Sequence, residues 1–223
     1  VSHPGIKLVS FTGSSKVGKQ IAEECGRRLI KCSLELGGKN GLIVMSDADL
    51  DAAAKAVAAG AFSTAGQRCA ANSRVFVQQD VYDIFIAKLL AETNKMKVGP
   101  GTDPETKVCP IINRRQFNSI LNYIENALKD GAKLITGGKS LTDGVYARGN
   151  YIVPTIFTDV DINSALAQEE IFGPVLAVFR VNNLAEAVEK INHVKYGLTG
   201  SIFTADVNTA IWALDKIQAG CCY

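Results

Sequence analysis

The chain has 223 residues, enough for one large or two modest domains. With 47% hydrophobic and 21% charged residues, it has an ordinary globular composition. A net charge of +2 gives no reason to expect nucleic acid or an anionic membrane as a partner, and no apolar run approaches the roughly 20 residues of a membrane helix.

Taken in order, residues 6–11 form a short β-rich run. From Ser14 onward, apolar positions at Val17, Ile21, Ala22, Cys25 and Leu29 recur at helical spacing. Residues 32–36 and 42–45 read as strands flanking the Gly37-Gly38 turn. Ser46 or Asp47 is placed to cap an alanine-rich helix that runs to about Ala65 and stops at Gly66. A strand at 74–78 precedes a helix at 81–96, with Ile84, Phe85 and Leu89 on one side. Residues 98–112, rich in Gly, Pro and Asp, read as loop. Phe117, Ile120, Leu121, Ile124 and Leu128 mark an amphipathic helix, and residues 133–136 a strand ending at Gly137-Gly138.

Residues 151–157 and 175–181 read as strands around the segment 169–174. Leu184, Ala187, Val188 and Ile191 mark a helix, residues 201–204 a strand, and Val207, Ala210, Ile211, Leu214 and Ile217 a last helix. This alternation predicts α/β architecture with a largely parallel sheet. The composition shift at Gly37-Gly38 marks a hinge between residues 1–37 and 38–223.

Six cysteines without a C-x-x-C pair, and only two histidines, argue against a zinc site. Reduced thiols in a cytoplasmic enzyme are the simplest reading, with an organellar matrix left open. Val1 in place of a start methionine, and a closing Gly220-Cys221-Cys222-Tyr223 that reads as a strand just begun, suggest a piece of a longer chain.

Two residues carry the chemistry. Cys69 lies in Gly66-Gln67-Arg68-Cys69, between a helix and the small-residue stretch Ala70-Ala71-Asn72-Ser73. Alone it reads first as a buried structural thiol, and only second as a nucleophile on a loop. Glu35 ends an apolar strand in Leu34-Glu35-Leu36-Gly37-Gly38-Lys39. Alone it is either a surface or salt-bridged strand residue or a general base. A thiolate nucleophile together with a water-activating carboxylate supports a two-stage reaction through a thioester.

Phe11-Thr12-Gly13-Ser14-Ser15-Lys16-Val17-Gly18 joins a strand to a helix, whose first N–H groups favour anions. The stretch is also nearly a Walker A motif, Gly13-x4-Gly18-Lys19, but Gln20 stands where Ser or Thr must reach Mg²⁺. Glu169-Glu170-Ile171-Phe172-Gly173-Pro174 reads on its own as a solvated acidic pair before a core aromatic and a turn.

Together these motifs resemble the aldehyde dehydrogenase superfamily over essentially the whole chain, which corresponds to about its second half. The resemblance implies a three-layer α/β sandwich. Residues 1–37 would be the remnant of the dinucleotide-binding domain, and residues 38–223 the catalytic domain. It implies that Cys69 is the nucleophile and Glu35 the general base for thioester hydrolysis. Glu35 also argues against relatives that pass the acyl group to coenzyme A. Gly13 and Ser14 would approach the cofactor phosphates, with Gly18 permitting close packing. Glu170 would hold the nicotinamide ribose, with Phe172 beside it.

The oxyanion donors would be the Cys69 backbone N–H and an Asn upstream of this chain. Residues reading the adenosine ribose also lie upstream, so NAD and NADP both remain open. The implied partners are a small-molecule aldehyde and, in the full-length enzyme, further copies of itself. By the same resemblance Phe62, seven residues before Cys69, would line the aldehyde channel. Cys109-Pro110 departs from the family's usual Gly-Pro and puts the conformation of that loop in question. The Gly-Gln-Arg-Cys variant and the run 169–181 look most like semialdehyde-oxidising members. The alternatives are a P-loop nucleotide hydrolase and an inactive superfamily remnant acting as a binding module.

Overall fold

The computed structural model describes residues 1–223, which divide into two compact units, Val1–Gly38 and Lys39–Tyr223. The first is a β–α–β unit. Strand β1 (Leu8–Thr12) leads into helix α1 (Ser15–Arg27) and then β2 (Lys31–Glu35), which pairs parallel to β1. Ser14 caps α1 by accepting from the Val17 N–H. Gly18 is buried within the helix because a Cβ there would lie 2.5 Å from Leu36 Cδ2.

The second unit is built on a seven-stranded sheet. Its strands are β3 (Asn40–Val44), β4 (Asn72–Gln78), β5 (Lys133–Thr136), β8 (Thr155–Thr158), β9 (Val175–Val181), β10 (Thr199–Phe203) and β11 (Cys221–Cys222). Their spatial order is β11-β10-β3-β4-β9-β8-β5, parallel throughout except for the antiparallel β5–β8 edge pair. Strand β3 is buried along its full length, as a strand covered on both faces must be. The register partners Phe76 and Phe179 stack at 5.1 Å between centroids.

Helices α2 (Leu50–Phe62) and α3 (Tyr82–Asn94) pack together, and α2 covers β3, β4 and β9. Helix α6 (Leu184–Asn192) lies against the same three strands and against α7 (Val207–Lys216). Helix α4 (Arg114–Lys129) contacts the short α5 (Ala165–Gln168). The result is the layered α/β fold with a parallel-rich sheet.

Three local expectations are corrected. The cap of α2 is neither Ser46 nor Asp47 but Asp49, whose carboxylate accepts from the Asp51 and Ala52 N–H groups at 3.0 Å each. Asp47 instead accepts from Thr204 Oγ1 and from the Ala205 and Asp206 N–H groups, tying the end of β3 to the turn before α7. The single strand expected at 151–157 is two, β7 (Tyr151–Ile152) and β8, because Pro154 cannot donate to a ladder. Strand β7 pairs instead with β6 (Ser140–Leu141). The alanine-rich helix ends at Phe62 rather than near Ala65, and residues Ser63–Gly66 form a separate turn.

Two cations are sealed in this second unit. Arg74 donates to the Lys39 carbonyl at 2.9 and 3.1 Å and to the Ile191 carbonyl at 2.8 Å, so its guanidinium is well satisfied. Lys39 is 2% exposed and its Nζ has no hydrogen-bond partner. Burial, reinforced by the Arg74 charge, lowers its pKa to about 7, against the opposing pull of Glu170 and Glu169.

Two outcomes are expected. Asp49→Ala costs about 1 kcal/mol by loss of a cap, and Asp47→Ala also destabilises, by loss of the bonds that tie β3 to the turn before α7; urea unfolding of both variants checks this. The unfolded chain holds a proton on Lys39 between pH 7 and 10.5 that the folded chain has released, so stability rises with pH across that window. Lys39→Met removes that rise, worth roughly 3–5 kcal/mol in total. Unfolding free energies of parent and variant measured from pH 7 to pH 10 check this, and parallel curves would refute it.

Candidate active site

In the first unit, Gly13, Ser14 and Glu35 come together at the carboxyl ends of two adjacent parallel strands. Thr12 is in register with Glu35, and the Gly13 N–H donates to the Glu35 carbonyl at 3.0 Å. The Glu35 side chain is exposed. Ser14 opens a helix of 13 residues with no acidic residue in its first turn, so no carboxylate competes there with an incoming anion. Gly18 and Lys19 lie inside α1, past its start. A Walker loop needs its glycine and lysine ahead of or at the helix start, so the near-match to that motif has the wrong local structure.

In the second unit, Cys69 is exposed on the loop between the Ser63–Gly66 turn and β4. The approach to it is strained. Thr64, Ala65 and Gly66 have φ of 57°, 53° and 66°, three successive left-handed residues. For Thr64 and Ala65 this conformation costs roughly 1–2 kcal/mol each. It ends α2 abruptly and turns the chain back. Gly66 is required on two counts: its φ is positive, and a Cβ there would lie 2.2 Å from the Gly173 carbonyl oxygen. The Cys69 loop and the Glu170–Phe172 turn are therefore in backbone contact.

That second turn is strained too. Phe172 has φ 55° and is 38% exposed. Gln116 Nε2 holds it by donating to the Ile171 and Phe172 carbonyls at 2.7 and 3.2 Å. Tyr123 Oη donates to Glu169 Oε2 at 2.5 Å. Burial first, and then this bond, pushes the Tyr123 hydroxyl pKa upward. Tyr196 is raised by burial and by the Glu170 charge, and accepts from the Glu170 backbone. The two acids are thus held differently: Glu169 is exposed and paired with Tyr123, while Glu170 is half-buried beside Tyr196.

Gln67 joins the Cys69 loop to residues 98–112. Its Nε2 donates to the Pro110 carbonyl at 3.2 Å, and its Oε1 accepts from the Ile112 N–H at 2.9 Å. Cys109 is half-buried and packs against the core, so the Cys-Pro variant is accommodated within the loop. Phe62 is overturned as a channel residue: it is 0% exposed and belongs to the core beneath the loop.

Sequence reasoning missed Asn40, Arg74 and Lys39, all buried polar residues around the start of β3 and β4. The available signal was three polar residues placed in or beside apolar strands. No group of three or more His, Cys, Asp or Glu is arranged to hold a metal ion, and no helix is long and apolar enough to cross a membrane.

Comparison with known proteins agrees with this architecture. The aldehyde dehydrogenase family model matches residues 1–223. The chain is 44% identical over 218 residues to an alpha-ketoglutaric semialdehyde dehydrogenase of Bacillus subtilis (strain 168), covering 98% of this chain and 45% of that protein. It is 42% identical over 220 residues to retinaldehyde dehydrogenase 3 of Mus musculus, covering 98% of this chain and 42% of that one. A crystal structure of betaine aldehyde dehydrogenase from Staphylococcus aureus in complex with NAD+ superposes with a TM-score of 0.95 at 35% identity, over 99% of this chain and 44% of that one. The chain thus spans a little under half the length of these relatives. With its motifs, its fold and a match along its full length in agreement, the chain belongs to the aldehyde dehydrogenase family.

Proposed function

We propose that the protein carrying this chain oxidises an aldehyde to a carboxylic acid with NAD or NADP, using Cys69 as nucleophile and Glu35 as general base. The observation that carries the reading is Cys69 itself: an exposed thiol on a loop strained into place and packed against the Glu170–Phe172 turn, in a chain of this family. Residues 1–38 supply the phosphate-facing end of the cofactor site and residues 39–223 the reacting thiol.

Cys69 Sγ attacks the carbonyl carbon and forms a thiohemiacetal. Its oxyanion is met by the Cys69 backbone N–H. Loss of hydride from that carbon leaves a thioester on Cys69. Glu35 then takes a proton from water as the water oxygen attacks the thioester, releasing the acid and the thiolate. A bound nicotinamide dinucleotide supplies the two-electron acceptor. Gly13 and Ser14, at the start of a helix free of first-turn acid, suit its phosphates. Glu170 suits the nicotinamide ribose diol through charge-assisted hydrogen bonds, with Phe172 alongside.

The NAD+ complex of the betaine aldehyde dehydrogenase supports NAD, and the Bacillus relative supports a semialdehyde substrate. We further propose a homo-oligomer working in the cytoplasm or an organellar matrix.

Cys69→Ala is expected to abolish aldehyde oxidation, by about a thousandfold or more. Glu35→Gln is expected to retain one rapid hydride transfer per site, seen as a burst of reduced dinucleotide in stopped flow, and then to stall. An unchanged steady-state rate for Glu35→Gln would overturn the base assignment. Tight Mg·ATP binding without dinucleotide affinity would favour a nucleotide hydrolase. A protein that binds neither and shows no activity would be a binding module.

A further inference from the structure

The thiol loop is held by one side chain outside the motifs discussed so far. Asn40, the first residue of β3, is 2% exposed. Its Nδ2 donates to the Cys69 carbonyl at 2.7 Å and to the Ala71 carbonyl at 2.9 Å. Its Oδ1 accepts from the Thr199 N–H, at the start of β10, at 3.1 Å. Its own carbonyl accepts from Ser73 Oγ at 3.2 Å. Both amide protons and the amide oxygen are thus used, and a buried polar group satisfied in this way rigidifies what it binds.

The ladder is also built around this contact. The register between β3 and β4 shifts between Asn40 and Gly41: Asn40 pairs with Asn72, while Gly41 pairs with Arg74. The irregularity skips Ser73, whose hydroxyl donates to the Asn40 backbone carbonyl, beside the Cys69 and Ala71 carbonyls that the Asn40 carboxamide grips. Such bulges commonly sit beside active sites, where they re-aim a side chain.

We propose that Asn40 is a positioning residue for the Cys69 nucleophile. By clamping the carbonyls of Cys69 and Ala71 it fixes the peptide that follows the thiol, and so the direction in which Cys69 Sγ projects. It also fastens that loop to the first peptide of β10. The left-handed turn sets the loop's entry, and the Asn40 clamp sets its exit. This inference rests on the reading of Cys69 as nucleophile.

Two substitutions test it in the protein that carries this chain. Asn40→Asp keeps the shape and the acceptor for Thr199 but loses both donors. Asn40→Ser removes the clamp without adding charge. Both are expected to slow kcat and the alkylation of Cys69 by iodoacetamide together, about tenfold to a hundredfold, with KM for the dinucleotide changed by less than about twofold. A purely structural role would lower melting temperature and leave alkylation of the folded protein at the parental rate.

Folded variants with parental alkylation and turnover overturn the proposal. If neither variant folds, amide exchange in the parent decides. Thr199 N–H must exchange as slowly as the β3–β4 core amides, and fast exchange overturns the clamp. Cys69→Ala measured in parallel separates the two readings. Full activity there defeats the nucleophile assignment, whereas inactivity there beside a fully active Asn40→Asp defeats the clamp alone.

Discussion

Gly66 and Gly173 meet backbone to backbone, and the candidate site in the second unit is organised around that contact. A side chain at position 66 would drive a Cβ to 2.2 Å from the Gly173 oxygen. Because neither residue carries a side chain, two loops from distant parts of the sequence share one wall. One brings the thiol, and the other brings an acid and an exposed aromatic ring. Both loops are strained, with left-handed Thr64 and Ala65 on one side and left-handed Phe172 on the other. Strain of this kind persists only where surrounding contacts over-determine it. Those contacts are identifiable: Gln67 holds the first loop to the segment before α4, and Gln116 holds the second to α4 itself.

The fold was legible where periodicity was strong. Helices α1, α4, α6 and α7 show long apolar spacing, and strands β4 and β9 are dense β-branched and aromatic runs, so each was visible in sequence. Legibility failed where a long-range contact decides the local structure. The end of α2 is set by a turn packed against Gly173, which lies far along the chain and so cannot be inferred from residues 63–66 alone. Asp47 looks like a cap because it precedes an alanine run, yet its carboxylate is claimed by Thr204, Ala205 and Asp206 after β10. Asn40 and Gly173, which touch the thiol loop in three dimensions, carry no sequence signal that pairs them with it. The residues proposed to bear chemistry are picked out by motif; the contacts that hold their loops in place are not.

The polar residues at the start of β3 follow one electrostatic logic. Asn40 is neutral and directs both amide protons and its amide oxygen to backbone. Arg74 is charged but donates to three backbone carbonyls, those of Lys39, Lys190 and Ile191, so its charge is solvated by protein dipoles. Lys39 has no such partner and relieves the cost of burial by releasing its proton near neutrality. Three neighbouring polar groups thus meet burial in three ways: neutrality, dipolar solvation and titration. The carbonyl that Arg74 grips belongs to Lys39, so the cation that is well satisfied also fixes the backbone of the one that is not.

This arrangement divides the work of the site between backbone and side chains. On the proposed reading, Cys69 needs mobility in its sulfur and none in its peptide, because attack and departure require the thiol to rotate while the backbone N–H proposed to meet the oxyanion stays in place. A loop held through side-chain contacts to Cys69 would restrain the sulfur. The contacts that bracket Cys69 fall on main-chain atoms of the loop, Gly66 against the Gly173 carbonyl and the carbonyls of Cys69 and Ala71 against Asn40, while Gln67 ties the loop through its own side chain. Anchoring the backbone in this way fixes where the thiol is carried while leaving its side chain exposed, which suits the proposed role of a nucleophile that first binds and then releases an acyl group.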